Sequence, residues 1–488
     1  MNPPIMRLYV LVLVLFAVLI GFTTWWSIVD AEELQSKSEN RRTLIESQGI
    51  KRGTIFASDG STVIAESTSS GKGQGKTYSR RYPTRELFGH PVGYSYIELG
   101  NSELELAENE VLIGESNEFA NLIDEIQGET EEGSNITLTL DSEAQQLAQT
   151  ELQGAISAPG TGAALVAIEP ETGAVKAMVS VPGYDPNTVS NPGQFKELNQ
   201  DESSPLFNRP TQSTYPPGST MKVVTATAAL DSGEFDPSTT LNANSGVDIS
   251  GVPLANSGGQ DFGTIDMTTA LTNSVNTYWA QVGEDLGAGT MVEYMKRFGF
   301  FAKPPLDFPA DELAASGVYN SDGELVEQGF DVGRVAIGQG GEEGQLLAAP
   351  LQMAMVSAAV ANEGTLMEPT FVQEVTDPDG RTSDELDPEE FSEVMSQETA
   401  AQVAEMMTNV AEEGTASGLS VTGSTLAGKT GTAEIDVDSS LNQAWFMGFA
   451  PADDPQIAVA ATVERCTGCF GGDTAGPIVT DVMETLLD

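Results

Sequence analysis

Tyr215-Pro-Pro-Gly-Ser-Thr-Met-Lys222, continued by Val-Val-Thr-Ala226, is the stretch on which the reading of this chain turns. The two prolines cannot continue a preceding helix, and the apolar run behind them starts one around Ser219. Taken alone, Ser219 would be an ordinary N-cap. Lys222 follows three residues later, one helical turn on and on the same face. A lysine entering a buried helix is costly unless it is paired or put to use. Desolvation lowers its pKa, and the neutral amine can then take a proton from a hydroxyl. The helix N-terminus also offers backbone N–H groups to an oxyanion.

Two later stretches carry matching chemistry. In Thr272-Asn-Ser274-Val-Asn276, Ser274 and Asn276 can both face a cleft while Val275 packs behind them; a capped helix start is the plainer alternative. In Gly428-Lys-Thr-Gly-Thr-Ala-Glu434, a strand puts Lys429, Gly431 and Ala433 on one face and Thr430 and Thr432 on the other. Gly431 lets a ligand backbone approach, or a side chain pack across the strand. Lys429 is the only basic residue between Arg381 and Arg465, and so a natural carboxylate partner. The stretch is not a phosphate loop, because the required glycine pattern before the lysine is missing.

The flanking sequence suggests the architecture. Ala163–Ile168 and Ala174–Val181 form a hairpin about Glu169-Pro-Glu-Thr-Gly173, and Ala444–Ala450 and Ile457–Val463 form another. Helical stretches lie between them: Thr220–Leu230, Met267–Val282, Met291–Phe298, Leu351–Ala361 and Thr399–Glu412. This pattern predicts an α+β fold, with a central antiparallel sheet flanked by a helical subdomain. Residues 31–150 read as a separate, less regular pedestal. Within it Ala31–Ser47 is helix-compatible, Ser67–Lys76 and Glu129–Gly133 are loops, and Asn135–Asp141 is an edge strand. Ser142–Gly154 has helical spacing.

At the N-terminus, Leu8–Val29 is nearly continuous apolar sequence, long enough for a transmembrane helix, with Arg7 before it and Trp25 and Trp26 at its far end. The expected division is 1–30 as cytoplasmic tip and anchor, 31–150 as pedestal, and 151–488 as catalytic domain. That places the protein in the cell membrane, single-pass, with its body extracytoplasmic. The 488 residues include 22 Lys and Arg against 72 Asp and Glu, a net charge of −50. Such a charge excludes nucleic acid as a partner. It also suggests a salt-rich medium, where self-repulsion is screened. Residues 31–90 are the near-neutral exception.

The ordered set Ser-x-x-Lys, Ser-x-Asn, Lys-Thr-Gly is the signature of penicillin-binding proteins and serine β-lactamases. The chain resembles the class B penicillin-binding proteins, and among them the actinobacterial A-type branch. The likeness extends to Arg52-Gly-Thr-Ile55, Arg81-Tyr-Pro83, Ile337-Gly-Gln-Gly340 and Trp445-Phe-Met-Gly-Phe-Ala-Pro451. It implies a serine β-lactamase/transpeptidase-like domain on a dimerisation-type pedestal. It further implies Ser219 as the acylated nucleophile, Lys222 as its base and Ser274 as a proton relay. Asn276 would hold the substrate amide and Lys222. Lys429, Thr430 and Thr432 would bind the donor carboxylate beside Gly431, with the amides of Ser219 and Thr432 as the oxyanion hole. The implied substrates are peptidoglycan stem peptides, a D-Ala-D-Ala donor and an amine acceptor. β-Lactams would act as inhibitors, and no metal or cofactor is implied. The implied partner is a polytopic membrane glycosyltransferase; the near-neutral 31–90 segment, with Arg80 and Arg81, is where its surface is expected.

A D,D-carboxypeptidase, a secreted β-lactamase and a non-catalytic β-lactam-binding scaffold are the competing readings. Gln443 stands where the family often has a residue such as histidine, and no role attaches to it. His90 reads as a surface or packed residue. Cys466 and Cys469 read as a short disulfide closing a loop, with free thiols as the alternative.

Overall fold

The structure is a computed structural model, and it describes residues 3–28, 50–71, 76–114, 132–156, 160–341, 344–436 and 440–488. Helix α1 is Pro3–Ile28. The expected transmembrane anchor, and with it the single-pass membrane placement, is overturned: among the described residues no helix is long and apolar enough to cross a membrane. The helical reading of 31–47 and the loop readings of 72–75 and 129–131 lie outside the described residues.

The pedestal follows. Strands β1 (Ile55–Phe56) and β2 (Val63–Ser70) join at a turn where the Asp59 carboxylate accepts from the amides of Ser61 and Thr62, both at 2.7 Å. After β3 (Thr77–Arg81) come the short helix α2 (Glu103–Ala107) and β4 (Asn135–Leu138). Helix α3 (Ser142–Ala155) is capped by Asp141, whose carboxylate accepts from the amides of Glu143 and Ala144.

The larger part of the chain opens with the hairpin β5 (Ala163–Ile168) and β6 (Val175–Val181). The helices α4 (Lys222–Asp231), α5 (Met267–Thr272), α6 (Asn276–Arg297) and α7 (Pro350–Ala361) come next. Strands β7 (Val372–Thr376) and β8 (Thr382–Glu385) precede α8 (Gln397–Glu412). The chain ends with β9 (Ala427–Asp436), β10 (Leu441–Ala450), β11 (Ile457–Thr467) and α9 (Gly471–Leu487).

The core sheet runs β9-β10-β11-β5-β6, antiparallel throughout, so both chain-end hairpins meet at its centre. Every residue of β5 is buried, as a strand covered on both faces requires. Helix α7 is buried all round and packs on β11 and β5, while α9 packs on β10 and β11. Strand β9 is one edge of this sheet and β6 the other.

Three sequence expectations change. Asn135–Leu138 is not an edge: β4 pairs in parallel with β1 and antiparallel with β7, in a pedestal sheet ordered β8-β7-β4-β1-β2-β3. The sheet of the pedestal is thus completed by residues far downstream. Met267–Val282 is not one helix, because residues 273–275 break it; α6 in turn kinks at Gly287, whose φ is +73°, so the expected helix from Met291 stands as a separate segment ending at Arg297. Ser67–Ser70, expected in a loop, extends β2.

Candidate active site

The turn that carries Ser219 is fixed from both sides before Lys222 begins α4. Tyr215 exchanges two backbone hydrogen bonds with Ala348, at 3.0 and 2.8 Å, and its hydroxyl donates to Glu464, which also accepts from Arg209. The indole of buried Trp445 donates to the Pro216 carbonyl at 3.0 Å. The Gly218 amide donates to the Gly338 carbonyl at 3.0 Å, so the Ile337-Gly-Gln-Gly340 segment buttresses the turn. Ser219 then sits in a single 3₁₀ turn, Gly218–Met221, one turn ahead of a helix whose first nine residues are buried.

The second motif arrives by breaking a helix. Ser274 has φ +55°, a left-handed conformation that serine rarely adopts, held by the bonds Ser274 N–H to Leu271 O and Val275 N–H to Ala270 O. This kink aims both Ser274 and Asn276 at Lys222.

Lys222 is wholly buried, and its Nζ lies 2.9 Å from Ser219 Oγ, 2.8 Å from the Ser274 carbonyl, 2.7 Å from Asn276 Oδ1 and 3.2 Å from Ser274 Oγ. Burial, and then the neighbouring Lys429 charge, push its pKa well below the ordinary lysine value. A neutral amine has two N–H donors and one lone pair. The Ser274 carbonyl and Asn276 Oδ1 can only accept, so they take the two donors. The lone pair is left for the Ser219 hydroxyl.

Lys429 is equally buried. Its Nζ donates to Ser274 Oγ at 2.9 Å and to the Thr430 carbonyl at 3.0 Å. Burial brings its pKa down to about 7. The two amines therefore divide their work, with Lys222 losing its proton more readily and Lys429 holding a charge to lower acidity. Because Ser274 Oγ accepts from Lys429, its own proton is free to be passed on. The acylation rate should rise as Lys222 deprotonates and fall as Lys429 discharges near pH 7, the apparent values belonging to the coupled pair. Lys429→Ala should slow benzylpenicillin acylation at least about tenfold and erase the alkaline fall, as read from rates between about pH 5 and 9. A near-wild-type rate would remove its role.

Gly431 has no room for a side chain: a Cβ there would lie 2.8 Å from the Pro217 carbonyl oxygen and 2.9 Å from Thr220 Cγ2. This close approach sets the turn that carries Ser219 against β9, and a Cβ on Gly218 would likewise lie 3.1 Å from the Thr432 carbonyl. The threonine hydroxyls are already engaged. Thr430 Oγ1 is 2.6 Å from Thr415 Oγ1, and Thr432 Oγ1 accepts from the Gly471 amide at 3.2 Å.

Thr415 is the residue the sequence reading missed. Its amide donates to the Thr272 carbonyl at 3.2 Å, so it ties the third motif to the helix that ends at the second. The one signal for it is Gly414 just past α8, which lies against the Thr272 carbonyl. Thr415→Val should lower donor affinity severalfold while Thr415→Ser restores it, because only the hydroxyl orients Thr430. Equal defects in both variants would refute this.

Other candidates fall elsewhere. Cys466 and Cys469 are joined in a disulfide at the end of β11. The loop behind it is tied down by Asn442 Nδ2 to the Cys469 carbonyl at 2.9 Å, and leads into Gly471. His90 is buried, its Nε2 2.9 Å from the Pro205 carbonyl and its ring edge-on to Tyr184; burial drops its pKa to about 4. Gln443 donates to Thr462 Oγ1 within the sheet, at 2.7 Å. Arg80 is not surface: it is buried on Glu105, whereas Arg81 is exposed and pairs with Glu66 at 3.3 Å.

The arrangement suits acyl transfer through a serine ester. Comparisons with known proteins agree. The profile of the penicillin binding protein transpeptidase domain matches residues 163–484, and that of the penicillin binding protein A dimerisation domain matches 52–136. The peptidoglycan D,D-transpeptidase PbpA of Mycolicibacterium smegmatis is 32% identical, over 98% of this chain and 97% of its own. Penicillin-binding protein A of Mycobacterium tuberculosis, solved as its penicillin G acyl-enzyme, is 30% identical with a TM-score of 0.77, covering 90% of this chain and 100% of that one. Its imipenem acyl-enzyme matches with a TM-score of 0.78 at 30% identity, over 91% of this chain and 100% of that one. The chain belongs to the penicillin-binding protein transpeptidase family, as a class B member related to the actinobacterial penicillin-binding protein A branch.

Proposed function

We infer that the protein is a serine-type peptidoglycan D,D-transpeptidase that is also acylated by β-lactams. The observation that carries this is the Lys222 amine, buried, its two donors taken and its lone pair left for Ser219 Oγ at 2.9 Å.

The steps follow from the geometry. Lys222 takes the Ser219 proton as Oγ attacks the carbonyl carbon of the penultimate D-Ala. The developing oxyanion is met by the amides of Ser219 and Thr432, in the role we assign to them. Ser274 passes its proton to the departing D-Ala nitrogen and is reprotonated through Lys222. The protonated Lys429, with Thr430 and Thr432 beside it, holds the terminal carboxylate against the negative background of the chain. The acyl group on Ser219 is then transferred to an amine of a neighbouring stem, with the same groups acting in reverse.

We place the division between pedestal and catalytic domain near residue 150, with 372–385 lent back to the pedestal sheet. A polytopic glycosyltransferase is the partner we propose, since the matched domains supply cross-linking and a pedestal for it. Charge reversal at exposed Arg81 should then weaken co-purification.

The test supplies the full chain, in high salt, with a stem peptide ending in D-Ala-D-Ala and an amine acceptor. Mass spectrometry should show a cross-linked product and one D-alanine released per bond. Trimmed peptide without cross-link would make it a carboxypeptidase. Unchanged peptide, with no β-lactam adduct on folded protein, would leave the scaffold reading.

A further inference from the structure

Strand β3 forms an edge of the pedestal sheet and borders a cavity of about 210 Å³, none of whose lining residues belongs to the transpeptidase site. Arg52, Ser67, Tyr78, Arg80, Ser95 and Tyr96 form most of its wall. Arg52 Nε and Arg80 Nε each donate to one oxygen of the buried Glu105 carboxylate, both at 2.6 Å. Two guanidinium charges thus share a single carboxylate, which leaves one positive charge in excess inside a chain of net charge −50.

The remaining donors are unequally used. Arg52 Nη1 donates to Asn109 Oδ1 at 2.7 Å and its Nη2 donates to the Glu105 carbonyl. Arg80 Nη1 donates to the Gly53 carbonyl at 2.6 Å, but its Nη2 has no partner among the described residues. The Tyr78 hydroxyl is likewise buried and unpartnered. Tyr78 and Arg80 are two apart on β3, so they share a face of the strand. The other charges nearby are Lys76, over the Tyr78 ring at 4.8 Å, Glu98, which is exposed at the rim, and Asp185, whose carboxylate acts on Tyr96.

A buried guanidinium N–H and a phenol O–H without acceptors, beside an unneutralised charge, are complementary to a carboxylate. Ser95 and the Tyr96 ring add a polar and an apolar wall. The volume admits a small organic acid.

We propose that this cavity binds a small monocarboxylate, held by Arg80 and Tyr78. Tyr78, at the half-buried end of the strand face, swings to admit it. D-Alanine is the acid of this class that the reaction of the enzyme itself releases, a source that rests on the transpeptidase reading; the site does not.

The test uses the full chain at constant sodium concentration, with acetate or D-alanine exchanged for a sulfonate buffer too bulky for the cavity. Thermal midpoints should rise with the logarithm of either acid. Tyr78→Phe leaves the Arg52–Glu105–Arg80 cluster intact and should weaken the apparent affinity at least about fivefold. Benzylpenicillin acylation should be unchanged in the variant. A response to acetate but not D-alanine would keep the carboxylate site and remove the product as its occupant. Identical responses in wild type and Tyr78→Phe, or no response to either acid, would overturn the proposal, because a purely structural arginine cluster predicts them.

Discussion

Lys222→Met is expected to slow benzylpenicillin acylation about a thousandfold, within the range that loss of a positioned general base costs. That factor corresponds to about 4 kcal/mol of activation free energy. Methionine matches the lysine in length and suits a fully buried position. It strands the Ser274 carbonyl and Asn276 Oδ1, so some loss of stability accompanies the loss of rate. Lys222→Arg should not rescue, because a guanidinium keeps its proton. Ser219→Ala sets the floor, with no adduct by intact-mass spectrometry. A Lys222→Met protein that is acylated at the wild-type rate while remaining folded would show that the proton leaves Ser219 by another path.

Loss of the folded state in dilute buffer is the second large effect. With 72 acidic and 22 basic residues, 50 negative charges are left uncompensated. The exposed ion pairs that do form, such as Lys296–Glu327 at 2.7 Å, offset little of that. The screening length is about 10 Å at 0.1 M salt and about 3 Å at 1 M. Repulsion that is local at high salt therefore acts across the whole surface at low salt. Fluorescence of Trp279 and Trp445, both fully buried, should shift to the red below about 0.1 M salt and recover on its return. An unchanged thermal midpoint between dilute and molar salt would refute the expectation.

The reactive cluster was legible because its chemistry is local. Ser219 and Lys222 lie one turn apart, and Ser274 and Asn276 flank a single buried valine, so each pair announces itself within a few residues. The hairpins of the core sheet were legible for the same reason. What could not be read was non-local. Strand β7 completes the pedestal sheet across more than 200 residues of chain, since Val372 pairs with Leu138, and nothing in its acidic sequence marks that partner. The break at Ser274 carries no glycine or proline, so the helical spacing on either side reads as continuous. Arg80 looked like a surface charge because Glu105, its partner, is 25 residues away. Leu8–Val29 reads as an anchor on hydropathy alone, and the structure does not support a crossing there.

The close packing around β9 also bears on drug resistance. An enzyme can escape a β-lactam by reshaping the rim of its site while still admitting the natural peptide. That route is closed at Gly431, where any side chain would strike Pro217 and Thr220, and at Gly471, where it would strike the carbonyls of Trp445 and Gly431. Ile435, four residues beyond Gly431, and Phe470, next to Gly471, are 41% and 54% exposed. Selection under antibiotic pressure should therefore accumulate changes at these two residues before either glycine.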